Sequence, residues 1–228
     1  MRRVTNERVS GLALIAGSLA TILTLSLHPS GPIAPERIES VARMLIAVHA
    51  LALASLPFLF MGAFGMSRRL ALAGRLPMVA LVLYAFALVS VMNAAVADGL
   101  VSPHILREFV NATPATRDGW RMALRYNGWL DEAFAQVYVV ASSLAILLWS
   151  AAMLSSAVSS SMVTPRSGAP TRGVGIYGCF LAPVILIAMF SGLFSRAPHA
   201  LAMVVLGEAL WFIAVGALLF WADQAPHG

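Results

Sequence analysis

The run PMVALVLYAFALVSVMNAAVADGL, Pro77 to Leu100, meets its first charged side chain only at Asp98. At about 1.5 Å of rise per residue, a helix of this length crosses a hydrocarbon core of roughly 30 Å. Pro77 stands at the expected first turn, where its missing N–H costs nothing. Five further runs read the same way, over 9–28, 41–66, 129–154, 173–194 and 198–221. The expectation is an all-α polytopic membrane protein, a single six-helix transmembrane domain over 1–228. Composition agrees: 60% of residues are hydrophobic, 11% are charged, and the mean hydropathy is +0.84. Soluble globular classes are excluded by these values.

Arg2, Arg3 and Arg8 ahead of the first run give it the outline of a secretory signal. Pro29, Gly31 and Pro32 close it as a breaker cluster, not as a small-x-small cleavage site, so it reads as a retained span. Cys179 is the single cysteine, which excludes an internal disulfide, a cysteine-based zinc site and c-type haem attachment. The net charge of +5 is carried by arginines at span ends. Such residues anchor membrane helices to the bilayer, the one partner the sequence demands, and no basic stripe suggests nucleic acid.

Six spans put both termini on one side. Arg2, Arg3 and Arg8 in the N-terminal flank and Arg68, Arg69 and Arg75 in the tight second connection place that side in the cytoplasm by the positive-inside bias. The long connection Val101 to Gly128 mixes Arg107, Arg117, Arg121 and Arg125 with Phe109, Trp120 and Leu124, which predicts an amphipathic segment in the interface.

The ionisable residues fall in the half of the bilayer opposite the termini. His28, Asp98, Glu132 and His199 stand at span ends there. His49 and Glu208, with Asn93 and Gln136, are expected deeper, roughly 12 to 14 Å below that surface by the helical rise. Gly17, Thr21, Thr24 and His28 follow one face of the first span, and Glu132, Gln136, Ser143 and Ser150 one face of the fourth. Asn93 and Asp98, five residues apart, point to different neighbours. A carboxylate at mid-depth costs about 2.5 to 3.5 kcal/mol to insert, so Glu208 wants a partner, and depth matching selects His49. These residues outline a polar pocket with His49 and Glu208 at its floor.

Several chemistries could use such a pocket. A metal ion needs three or four His or carboxylate ligands converging at about 2.0 to 2.2 Å, and His28 and His199 with Asp98 and Glu132 share a level. A bis-histidine haem is disfavoured, because His49 is expected roughly 12 Å deeper than the other histidines. Binding of a small molecule or metal ion, by an intramembrane enzyme or sensor, suits a pocket open to the non-cytoplasmic leaflet. A proton-coupled small-solute transporter and a structural subunit without chemistry are the alternatives. Transport lacks the internal repeat and paired broken helices that usually accompany alternating access.

The segments LHPSG (Leu27 to Gly31) and VHALALASLPFLF (Val48 to Phe60) resemble small six-span bacterial membrane proteins whose family has no established activity. The resemblance implies the six-span architecture and a bacterial inner membrane, and supplies no catalytic residues. The topology is directly testable. Cysteine labelling in intact cells should find Ser155 to Thr171 shielded from an impermeant reagent and Val101 to Gly128 reactive; the reverse pattern would invert the orientation.

Overall fold

The computed structural model describes residues 2–29, 35–71, 74–161, 169–192 and 200–221, apart from the side chains of 2–5, 35, 156–161, 169 and 200. Its helices are α1 (Arg2–Leu27), α2 (Ile38–Leu70), α3 (Leu76–Val96), α4 (Ser102–Asn111), α5 (Arg117–Ser161), α6 (Ala169–Phe190) and α7 (Ala200–Trp221). No strand occurs among the described residues. Six of the helical stretches are long and apolar enough to cross a membrane, as the sequence predicts.

Packing joins α1 to α2, α2 to α3, α3 to α5, α5 to α6, α6 to α7 and α7 back to α1, so the spans close a ring. Tyr84, Trp149, Trp211 and Phe212 fill its middle, with Trp149 stacked on Trp211 at 6.1 Å. The Trp149 indole N–H, which could not stay unpaired there, donates to Ser67 Oγ at 2.9 Å and to the Pro77 carbonyl at 3.2 Å.

Small residues set how closely the helices approach. A Cβ on Gly62 would run into Leu14, and one on Gly65 into Ser10. Gly17 faces Leu59 in the same way. These three contacts fix one antiparallel register between α1 and α2, in which paired residue numbers add to about 76. The first-span stripe of Gly17, Thr21, Thr24 and His28 therefore looks toward α2. On the other flank of α1, Gly11 lies against the Gly216 carbonyl of α7.

Helix ends differ from the expected span boundaries at the side away from the termini. The third span does not stop near Leu100: a π-helical turn, Ala97–Val101, carries it into α4. The fourth begins at Arg117, not near Trp129. Hydropathy reports the solvent around a helix and not the backbone conformation, so the apolar signal fades where the helix leaves hydrocarbon while its hydrogen bonds continue. The amphipathic segment between spans three and four is therefore α4 together with the first turns of α5. Only Pro103 of α4 is buried, and Arg107 clamps Glu39 of α2 through bonds of 2.8 and 2.9 Å.

A side chain at Gly11 has no flexible neighbour to displace, because the obstacle is the α7 backbone. Gly11→Leu should lower stability in mild detergent by about 1–3 kcal/mol, read as a lower melting temperature. Leu12→Phe, on the outward face, should leave it unchanged.

Candidate functional site

The α1–α2 register places His28, at the end of α1, opposite His49, which lies three turns inside α2. About 16 Å of α2, from Ile38 to His49, thus rises beyond the end of α1. The continuation of α3 into α4 and the early turns of α5 rise with it. The site lies at the foot of this helical rim, and the expected 12 Å difference in level between His28 and His49 does not exist. Their rings meet edge to face, with centroids 5.3 Å apart.

Asp98 completes the cluster from the π-helical turn. One carboxylate oxygen, Oδ2, lies 3.1 Å from His28 Nε2 and 3.3 Å from His49 Nε2. Gly99 makes this approach possible, since a Cβ there would overlap the His49 Cβ and Cγ. The turn itself is held by Asn127 of α5, which is buried and donates from Nδ2 to the Ala97 carbonyl at 2.8 Å and to Ser102 Oγ at 2.9 Å. π-helical turns often mark functional positions in helices.

The other ring nitrogens decide the chemistry. His49 Nδ1 lies 2.8 Å from the Leu45 carbonyl and His28 Nδ1 lies 3.1 Å from the Pro29 carbonyl. A carbonyl can only accept, so each Nδ1 carries the hydrogen and each neutral imidazole turns an Nε2 lone pair toward Asp98. Two lone pairs and a carboxylate then converge with no hydrogen among them. A positive species must stand between them, either protons on the imidazoles or a metal ion. The three ligand atoms lie within 4.8 Å of one another. Asp131 of α5 adds a second carboxylate whose charge acts on Asp98, His49 and His28.

The remaining expected pocket residues are elsewhere. Glu208 does not meet His49, because α1 stands between α2 and α7 in the ring. It is buried and accepts from Tyr138 Oη at 2.6 Å and Ser142 Oγ at 2.7 Å, both on α5 across the middle of the bundle. The buried Ser143 hydroxyl does not meet the geometry of a hydrogen bond to it. Asn93 donates to the Val89 carbonyl of its own helix at 2.8 Å. Its bond stays within α3, whereas Asp98 reaches α1 and α2.

The fourth-span stripe divides. Ser143 and Ser150 are fully buried, whereas Glu132 and Gln136 are exposed and bond only weakly to each other, at 3.4 Å. Gly175 against Leu154 and Gly178 against Ser150 set the α5–α6 register, which carries Gln136 past the last turn of α6. A helical face is buried only where a neighbour lies over it. His199 falls outside the described residues, so of the four expected metal ligands His28 and Asp98 come together, Glu132 stays apart, and His49 joins them.

Sequence reading missed Gly99, Asn127, Tyr138 and Ser142 as site residues. The i, i+4 spacing of the Tyr138 and Ser142 hydroxyls was a usable signal, since it places both on one face of an apolar span. Asn127 carried none. Searches against protein-family models, curated proteins and solved structures return no match for this chain.

The Glu208 network is self-contained, which separates it from the histidine cluster. Glu208→Gln should be tolerated, because the Ser142 hydroxyl can turn to donate to the Val139 carbonyl and accept the amide N–H. Glu208→Leu should cost about 1–3 kcal/mol by stranding the Tyr138 hydroxyl. Melting curves of both variants in detergent check this, and neither should alter metal content.

Proposed function

We propose that the chain is a multi-pass bacterial inner-membrane protein with cytoplasmic termini that binds a divalent transition-metal ion through His28, His49 and Asp98 on the non-cytoplasmic side. The observation that carries this reading is the convergence of two Nε2 atoms on one carboxylate oxygen, with both Nδ1 atoms against backbone carbonyls. Metal-bound histidines characteristically donate their second N–H to a carbonyl or carboxylate, which fixes tautomer and ring orientation. The Nε2 to Oδ2 separations of 3.1 and 3.3 Å also match the edge of a coordination polyhedron. Bonds of about 2.0 to 2.2 Å at tetrahedral or octahedral angles put neighbouring ligand atoms about 2.9 to 3.5 Å apart.

Two imidazoles and a carboxylate suit Zn²⁺ or Fe²⁺ better than a hard ion such as Mg²⁺ or Ca²⁺. Three protein ligands leave a coordination position open, as in catalytic and not structural sites. The His28 and Asp98 side chains are 38% and 32% exposed, so that position can be reached by water or a small ligand. These features favour a metal-dependent enzyme or sensor. The side assignment rests on the arginine distribution, and the membrane on the resemblance carried by LHPSG and VHALALASLPFLF.

The second reading is a protonated His–Asp–His staple that holds α1, α2 and α3 together without metal; the same distances are ordinary for N–H to oxygen hydrogen bonds. Metal analysis separates the two. Protein purified in mild detergent without chelator, or reloaded with Zn²⁺ or Co²⁺, should hold about one equivalent per chain. His49→Gln and Asp98→Asn should each weaken binding by at least about a hundredfold. Co²⁺ spectra that show no ligand field from nitrogen, or variants that bind as well as the parent, would sink the metal reading.

A further inference from the structure

The opposite end of the bundle, on the side of the termini, carries a second and unrelated feature. There α1 and α2 border a groove of about 320 Å³. Its walls include Asn6 and Glu7 from α1 and Met61, Phe64, Arg68 and Arg69 from α2. The charges in it do not balance. Arg69 Nη1 donates to Glu7 Oε2 at 2.7 Å, so that pair neutralises itself. Arg68 lies 5.8 Å over the Phe64 ring and has no carboxylate partner among the described residues. One guanidinium is left for an external anion, in a fork geometry suited to phosphate oxygens.

Directly beside this charge the lining turns apolar. Phe64 and Met61 are 41% and 44% exposed on the outward surface of α2, one and two turns deeper than Arg68 along a span that ends at Leu70. A free phosphate would satisfy Arg68 and leave both side chains bare. A phospholipid satisfies both parts at once, with its phosphate at the helix end and an acyl chain laid over the apolar surface. The positive balance selects against a zwitterionic headgroup, whose ammonium would be brought next to Arg68.

We propose that the groove between Asn6 and Arg68 seats an anionic phospholipid, its phosphodiester on the Arg68 guanidinium and an acyl chain across Phe64 and Met61. Asn6 supplies an amide at the groove mouth for a headgroup hydroxyl. This site is independent of the metal reading, since it lies at the other end of α1 and α2 and shares no residue with it.

The test uses the full chain in mild detergent, mixed with equimolar phosphatidylglycerol and phosphatidylcholine and read by native mass spectrometry. Phosphatidylglycerol adducts should dominate on the parent protein. Arg68→Gln should reduce them about fivefold, while Arg75→Gln, outside the groove, should leave them unchanged. Millimolar inorganic phosphate should not displace the lipid. The proposal is overturned by equal retention of the two lipids, by equal losses in the two arginine variants, or by displacement with inorganic phosphate, which would mark a free-anion site. The lipid competition on the parent chain decides the first point without any variant.

Discussion

The close antiparallel contact of α1 with α2 governs the rest of the structure. Leu14 against Gly62 and Ser10 against Gly65 leave no freedom to slide one helix along the other. Lipid tails are as apolar as leucine, so a hydrophobic driving force does not choose between registers in a membrane; close packing at small residues does. Once that register is set, His28 faces His49, α2 overshoots α1, and the overshoot gives α3, α4 and α5 something to pack on. Arg107 and Glu39 fasten the resulting rim. At the other end the same register brings Glu7 to Arg69 and opens the groove beside Arg68.

Two of the polar networks among the described residues differ in character. Glu208 is surrounded by hydroxyl donors from one helix and needs nothing from outside. The His28, His49 and Asp98 cluster is the opposite case: its internal donors are already spent on backbone carbonyls, and what remains are acceptors facing one another. A polar group stranded in a low-dielectric setting is costly, so this arrangement needs either protons on the imidazoles or a bound cation. Its place at the foot of a rim, partly exposed, leaves it reachable from one side.

The π-helical turn joins α3 to α4 and carries Asp98 to the two histidines. The Ala97 carbonyl accepts the Ser102 backbone N–H across the turn, and Asn127 adds a second bond to the same oxygen. In return the turn presents Asp98 and, through Gly99, lets the backbone press against the His49 ring. A regular helix with a side chain at position 99 would hold α3 away from α2 and separate the carboxylate from both imidazoles.

The sequence by itself determined the class and the number of spans, because hydropathy measures what surrounds each helix and needs no partner. It also put His28 and Asp98 toward the same end of the bundle and the first-span stripe on one face. What it could not determine was which helices are neighbours and at what level they meet. Depth was counted from each span's own end, as if all the ends lay in one plane, and that assumption joined His49 to Glu208. In the folded chain α1 separates α2 from α7, and α2 and α5 extend well past the apolar signal. Pairing therefore follows glycine contacts and ring order, which belong to the tertiary structure, and His49 meets Asp98 and His28 instead.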